Sequence, residues 1–481
     1  MRRAYFAPRF AITPMDDWRN DRIACLPNTP VWRDSVDAAR RYRDRPSTQS
    51  IYRVLEETSA RPELWNAHNR GGVREDGSAP SAFHQFEAAM AARDLNEAAA
   101  LVLGYIAQLA RPEERLAARI AFAARAILVH RALDVADRIV AHARTEHERP
   151  GDAALDQFLL RMRCRAESEQ NIALLERIIA SDHPGAPGAA CDWMTFRWRY
   201  ENAGRDTLND NLALARRLKS NARLLQECLA EAFVLDPGTA LAMLEERPDL
   251  ARGYKTLLPL AVHLREHGAG NADAADVAIH ADLFDALVAA GRALTDFVTR
   301  EPSMAIVGNS PCERGRGAGS RIDAHGAVTR FNYFAINDEN KRDYGEKLTI
   351  HARSPRKHPT LDASSARAAF TVFCQGDMTH AVRNWSHALT LRAQGVRLAC
   401  LPLGSNTALW RALHAEPSLG LAFLNYVKTV RGALPRESCF GFSFTDQIGP
   451  DASPAHYFDD KTPALTHQWA QERLIFDAMV T

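Results

Sequence analysis

The chain has 481 residues, enough for two or three domains with a sizeable core. Its hydrophobic content of 46% and charged content of 25% are those of an ordinary globular protein. The net charge of +1 gives no reason to expect nucleic acid or an anionic membrane as a partner. No apolar run approaches the roughly 18 residues of a membrane span, and Pro8 and Arg9 interrupt any signal-peptide core. We therefore expect a cytoplasmic protein, and a peripheral association with the inner membrane stays open.

The cysteine pattern argues against a zinc site. Eight cysteines are scattered along the chain without a Cys-x-x-Cys pair. Such spacing favours buried thiols in a reducing compartment.

Residues 1–78 form an irregular first segment, interrupted by prolines, whose function the sequence does not indicate. Residues 79–272 are predicted to be helical, because apolar residues recur at i, i+3 and i+4, as at Phe83, Phe86 and Met90. We predict helices near 113–128, 130–146, 154–167, 170–181, 208–218, 221–233 and 237–245. Paired helices of this length resemble an α-solenoid of the tetratricopeptide type. Such an array either binds a partner protein or only packs, and both interpretations stay open.

Residues 273–481 are predicted to be an α/β domain, because short apolar runs now alternate with helical patterns. A long helix over 273–299 is expected to belong to this domain. We predict strands at 304–307, 327–331, 347–351, 370–374, 397–401 and 438–444.

Two of these predicted strands end at an asparagine. Gly308, Asn309 and Ser310 follow the first strand, and Asn332 follows the second. The carboxyl edge of an open α/β sheet is where such folds bind nucleotides. The sequence therefore predicts two amides at a ligand-binding edge.

Two predicted helix starts supply further polar groups that could bind a ligand. Ser418 would cap a helix over 418–430, and the free N–H groups at such a start suit a phosphate or a base edge. If Thr466 caps the last helix, His467 lies in its first turn, where the helix dipole disfavours the imidazolium. A neutral imidazole is what a general base requires.

Four stretches of the α/β region, in this order, resemble the motifs of the sialyltransferases, glycosyltransferase family 29. Residues 306–332, which include Asp323, resemble the large motif, and Asp343-Tyr344-Gly345 continues it. Residues 417–421, with Phe440-Gly441-Phe442 further on, resemble the small motif. His456-Tyr457-Phe458 resembles the third motif, and His467 with Glu472 resembles the very small motif, H-x-x-x-x-E.

This resemblance implies a metal-independent, inverting transferase with a Rossmann-like fold of the GT-A variant type and a CMP-activated sugar as donor substrate, without a cofactor. No Asp-x-Asp occurs anywhere in the chain. His467 would be the catalytic base. The donor-binding residues would be Gly308, Asn309, Ser310, Asn332, Ser418, Gly420, His456 and Tyr457, with Asp323 and Glu472 in supporting roles.

Some features depart from the family pattern. Secretory members join the large and small motifs by a disulfide, and the corresponding positions here are Met304 and about Leu434. Glu472 follows His467 by five residues, about 140° round an ideal helix. A structural role for Glu472, for example on a loop N–H, is therefore as good an interpretation as one of orienting His467.

Several alternatives stay open. The donor sugar would be a 2-keto acid, either sialic acid or Kdo, with Arg330 or Arg353 as a cation for its carboxylate, and the acceptor would be a surface glycan. The basic span 354–366 would cover the site or merely connect two elements. An alternative function is a helical-repeat interaction protein with a degenerate, inactive nucleotide-binding domain. A third is another nucleotide-dependent enzyme on a Rossmann-like sheet.

Overall fold

A computed structural model describes most of the chain from residue 82 onward. The gaps within 82–481 are 110–111, 129, 131, 143–150, 164–169, 201–204, 219–220, 269, 375–378, 403, 414, 445–455 and 459–466. The predicted irregular segment 1–78 lies outside the described residues, as does Thr466.

The first part of the described chain is helical. Its helices α1 to α11 span Ala82–Ala91, Leu95–Gln108, Pro112–Leu128, Leu133–His142, Asp152–Arg163, Gln170–Ala180, Ala186–Tyr200, Arg205–Arg217, Ala222–Leu235, Pro237–Glu246 and Leu258–His267. Along α1 to α9 each helix packs on the next one in the chain, and several also pack on the helix after that. This contact pattern is typical of stacked helical hairpins. No helix in the described ranges is long and apolar enough to cross a membrane.

Side-chain caps define several of these helix starts. Asp94, Asn221 and Asp236 each accept a hydrogen bond from a backbone N–H in the first turn of the following helix. These bonds satisfy N–H groups that have no partner within the helix.

Helix α12, Ala274–Arg300, passes from one core to the other. Its early residues Val277 and Ala281 lie in the core of the helical part. Its later residues Ala290, Leu294 and Val298 pack against the sheet described below. The predicted boundary at residue 273 therefore falls at the start of a helix that both cores share.

The second part of the chain is an α/β arrangement, as the sequence predicts. Strands β1 to β6 span Met304–Val307, Ala327–Phe331, Ile350–Arg353, Phe370–Phe373, Leu398–Cys400 and Cys439–Phe440. Helices α13 to α19 span Gly319–Asp323, Asp338–Tyr344, Pro359–Arg367, Ser386–Ala393, Thr407–Leu413, Leu419–Arg431 and Trp469–Met479. The described strands form one parallel sheet in the order β5-β4-β3-β2-β1-β6. The chain thus steps from β1 to β5 in one direction and then returns to place β6 on the other side of β1.

Alternate residues of each strand face opposite sides of this sheet. Met304 and Ile306 of β1 pack with α12 and α18 on one side, whereas Ala305 and Val307 pack with Tyr344 and its neighbours on the other. Since both faces are covered, every residue of β1 is buried.

Strand β3 is displaced from its predicted position at 347–351. It runs over Ile350–Arg353, so His351 lies within the strand and does not end it. The backbone N–H groups of Glu346 and Lys347 donate to the carboxylate of Asp323 at 2.9–3.1 Å. These donors cannot join the strand ladder, so the strand begins later.

Candidate functional site

The ends of β1 and β6 meet in a close backbone contact. A Cβ atom on Gly308 would lie 2.3 Å from the carbonyl oxygen of Gly441, and a Cβ on Gly441 would lie 2.4 Å from the oxygen of Gly308. Gly441 also has φ +68°, which favours glycine. This contact stands at the carboxyl edge, where the strand order reverses, and open α/β sheets bind ligands at such a point.

The two residues after Gly308 join this edge to its neighbours. The Ser310 hydroxyl lies 2.6 Å from the Ser443 hydroxyl, which follows β6. The Asn309 amide nitrogen donates to the carbonyls of Phe331 and Tyr333 at 3.2 and 2.9 Å. Asn309 therefore ties the end of β1 to the end of β2, and its amide hydrogens are occupied by the protein.

Asn332 has a left-handed backbone conformation, with φ +42°. Its Oδ1 accepts from the Ser354 N–H at 2.9 Å, and its carbonyl accepts from His351 Nε2 at 2.9 Å. Its amide nitrogen has no hydrogen-bond partner among the described residues. This nitrogen is the donor that Asn332 can offer to a ligand.

Tyr457 is buried beside the end of β1. Its N–H donates to the Asn309 carbonyl at 2.8 Å, and its ring stacks on Tyr344 at 3.8 Å. Its hydroxyl donates to the Ala335 carbonyl and accepts from the Ala335 N–H, at 3.0 and 3.1 Å. Burial raises the pKa of this phenol. The hydroxyl is thus satisfied within the protein, and the half-buried His456 precedes it with its ring stacked on Phe458.

Helix α18 begins at this edge, with Ser418 as its N-cap as predicted. The Ser418 side chain accepts from the Leu421 N–H at 3.3 Å. A Cβ on Gly420 would lie 2.8 Å from the ring of Phe442, so glycine allows the first turn to approach the segment after β6.

His467 lies one residue before the N-cap of α19, because that helix begins at Trp469 with Gln468 as its N-cap. The expectation that Thr466 caps the helix and that His467 lies in its first turn is wrong. The i→i−4 bond from Glu472 N to Gln468 O, at 2.7 Å, fixes this start.

A carbonyl fixes the tautomer of His467. Its Nδ1 lies 2.9 Å from the Glu416 carbonyl oxygen, which can only accept, so Nδ1 carries the proton. Its Nε2 has no hydrogen-bond partner among the described residues, and the side chain is 22% exposed. In the neutral ring Nε2 therefore carries the lone pair, which is the atom that a general base would use.

Glu472 links His467 to α18. It is completely buried, its Oε1 accepts from the Ser418 N–H at 2.7 Å, and the same oxygen lies 3.8 Å from His467 Nδ1. Burial raises the pKa of this carboxyl. The bond to a backbone N–H is the one that the structural interpretation of Glu472 expects, and the role of Glu472 beside His467 stays a prediction.

Arg353 is one of the two candidate cations for the donor carboxylate. It is fully buried and donates hydrogen bonds to Asp362, to Ser365 and to two backbone carbonyls. Arg330 is 1% exposed and donates to the carbonyls of Lys347 and Tyr344, with Nη1 unpaired. Neither guanidinium is at the surface.

Among the described residues, no group of three or more His, Cys, Asp or Glu side chains is placed to hold a metal ion.

A polar cavity of about 300 Å³ lies between α4, α5 and α6, lined by Asp137, Gln157 and Arg177 among others. It shares no residue with the predicted site.

The predicted site residues are therefore connected through a short series of contacts. His467 reaches Ser418 through Glu472, Gly420 touches Phe442, Ser443 touches Ser310, and Asn309 contacts both Tyr457 and the end of β2. Asp323 lies apart from this series, holding the turn before β3. Sequence reasoning missed Glu416 and Ser443, since one acts through its backbone and the other follows a two-residue strand.

Comparisons with protein-family models, with curated proteins and with solved structures found no match to this chain. The resemblance to the sialyltransferases therefore depends on the four sequence motifs alone.

Proposed function

We propose that the protein is an inverting, metal-independent glycosyltransferase that moves a 2-keto sugar acid, sialic acid or Kdo, from its CMP-activated donor to a hydroxyl of a surface glycan. One observation carries the proposal. Four motif-like segments are linked at the carboxyl edge where β1 and β6 meet: 308–310 bonds to 456–457, and 418–420 bonds to 467–472. Phe442 and Ser443, which follow β6, connect the two pairs through Gly420 and Ser310. We propose in addition that the α/β part has a Rossmann-like fold of the GT-A variant type, because open α/β sheets bind their ligands at this edge.

The proposed chemistry uses the polar groups at this edge that the protein itself leaves without a partner among the described residues. CMP leaves with a single phosphate, whose charge the amide of Asn332 and the N–H groups at the start of α18 can stabilise. The acceptor hydroxyl attacks the anomeric carbon from the opposite side as the bond to the phosphate breaks. His467 Nε2 takes the proton from that hydroxyl, because its Nδ1 is already protonated and bonded to Glu416.

The test is transfer or hydrolysis of CMP-sialic acid and CMP-Kdo by the full chain and by His467→Ala. We expect the substitution to lower the turnover number by roughly 10²–10⁴-fold, the usual contribution of a general base. His267→Ala is the matched control, because His267 is exposed on α11 and bonds only to its own helix.

Full activity in His467→Ala would rule out His467 as the base. Binding of CMP by wild type without turnover of either donor would favour the alternative, a helical-repeat interaction protein with an inactive nucleotide-binding domain. Two observations favour this alternative. The amide of Asn309 and the hydroxyl of Tyr457 already bond to carbonyls of the protein, so neither donor is available to a ligand.

A further inference from the structure

The segment after β3 carries two exposed cations beside the candidate site. Arg356 and Lys357 are both exposed, and neither forms an ion pair with a described residue. Arg353, three residues earlier, is by contrast fully buried. The charge available to a ligand is therefore on Arg356 and Lys357.

Arg353 fixes the shape of this segment. Its Nε donates to the Ser354 carbonyl at 3.1 Å, its Nη2 donates to the Arg356 carbonyl, and its Nη1 binds Asp362 at 2.8 Å. The Ser354 N–H also donates to Asn332. These bonds hold the backbone from which the Arg356 and Lys357 side chains extend, which removes part of the entropic cost of binding.

Tyr333 connects the segment to the donor edge. The Arg356 guanidinium lies 5.4 Å from the centroid of the Tyr333 ring, and the His358 ring meets that ring edge-on at 4.7 Å. The Tyr333 carbonyl accepts from Asn309. The Arg356 guanidinium and an aromatic ring thus lie next to the residues that follow β1 and β2, and Lys357 is the next residue in the chain.

We propose that Tyr333, Arg356 and Lys357 form a subsite for the acidic group of a sugar, a carboxylate or a phosphate, next to the CMP site. This inference rests on the proposed function. A guanidinium can bind a carboxylate or phosphate through two parallel hydrogen bonds, and Lys357 adds a second charge. The acidic group belongs either to the donor sugar or to the acceptor glycan.

The test is calorimetric binding by the full chain and by the double variant Arg356→Ala with Lys357→Ala. The ligands are CMP, CMP-sialic acid and, with CMP present, 3′-sialyllactose and lactose. We expect the double variant to lose less affinity for CMP than for the ligand whose acidic group the subsite binds. Either CMP-sialic acid or 3′-sialyllactose should bind the double variant about three- to tenfold more weakly, with a smaller difference at high salt. The ligand that is weakened identifies the source of the acidic group.

Arg392→Ala is the control, because Arg392 is exposed on α16 and lies outside the subsite. Equal binding of every acidic ligand by wild type and double variant would overturn the subsite. So would a wild type that prefers neither CMP-sialic acid to CMP nor 3′-sialyllactose to lactose. Failure of wild type to bind CMP would instead count against the proposed function, and the comparison of 3′-sialyllactose with lactose would still test the subsite.

Discussion

The role of His467 depends on the partner of its Nδ1 atom. The sequence predicts a neutral ring from the dipole of the last helix, but the residue lies before that helix. The Glu416 carbonyl supplies the reason for a defined tautomer. No pattern in the sequence indicates this partner, because Glu416 contributes its backbone and not its side chain.

Substitutions of Glu472 test whether this residue of the last motif has a structural role. We expect Glu472→Ala to lower the free energy of unfolding by about 1–3 kcal/mol, because the Ser418 N–H would lose its acceptor. Glu472→Gln keeps an oxygen acceptor and should be at least as stable as wild type at pH 8.

The raised pKa of Glu472 determines how the stability of wild type relative to Glu472→Gln changes with pH. Because burial raises the pKa of Glu472 above its usual 4.5, charging this carboxyl costs the folded state stability as pH rises above that value. The advantage of Glu472→Gln should therefore vanish below pH of about 4. Urea unfolding at both pH values measures it, and a Gln variant as unstable as the Ala variant at pH 8 would contradict the account.

At the scale of elements, His351 joins β2, β3 and α15. Its Nε2 donates to the Asn332 carbonyl, and its Nδ1 lies 3.1 Å from the Ser365 hydroxyl. Burial is the main cause that lowers the pKa of this ring from 6.5 to about 4. The unfolded chain therefore binds a proton between these pH values that the folded chain does not.

The stability that the neutral ring contributes is present above pH 6.5 and is lost as pH falls towards 4. The loss amounts to at most about 3 kcal/mol. Urea unfolding at pH 7 and pH 4.5 should show a smaller pH dependence in His351→Gln than in wild type or in His325→Gln, whose ring bonds to carbonyls of the preceding helix α13. An unchanged pH dependence in His351→Gln would refute this assignment.

The close contact between the ends of β1 and β6 leads to a second prediction about the packing of elements. Gly308→Ala should cost about 1–3 kcal/mol of unfolding free energy, because its Cβ would meet the Gly441 backbone. Gly291→Ala, within α12, meets nothing closer than 3.8 Å and should stabilise by about 0.5–1 kcal/mol. Thermal unfolding of both variants measures this contrast, and equal melting temperatures would contradict it.

The sequence predicted the strands at 304–307 and 327–331 correctly, because continuous apolar runs mark strands that are buried on both faces. It missed α7 because that helix buries residues on most of its sides and shows no single apolar stripe. It misplaced β3 because the competing acceptor, Asp323, is distant in sequence from the N–H groups it binds.

For the whole molecule, the predicted site residues come from segments separated by up to about 160 residues, and the sheet topology is what brings them together. The order of the motifs in the sequence predicted which residues belong to the site. It did not indicate that the Asn309 amide and the Tyr457 hydroxyl bond to backbone carbonyls, since only the folded chain places those carbonyls.

The helical and α/β parts pack on one another. Trp385 is buried and donates from Nε1 to the Thr256 carbonyl at 3.1 Å, while Val382 and Trp410 pack against the helical core. The helical part therefore supports the sheet directly, and the role of its outer surface as a partner-binding face stays a prediction.

The most direct test of the account is calorimetric binding of CMP to wild type and to Asn309→Ala, with and without EDTA. The account predicts that wild type binds CMP equally with and without EDTA, and that Asn309→Ala binds it more weakly, because the edge of β1 and β2 loses its link. No binding of CMP by wild type, or binding that ignores the substitution, would mean that the four motifs do not form a CMP site.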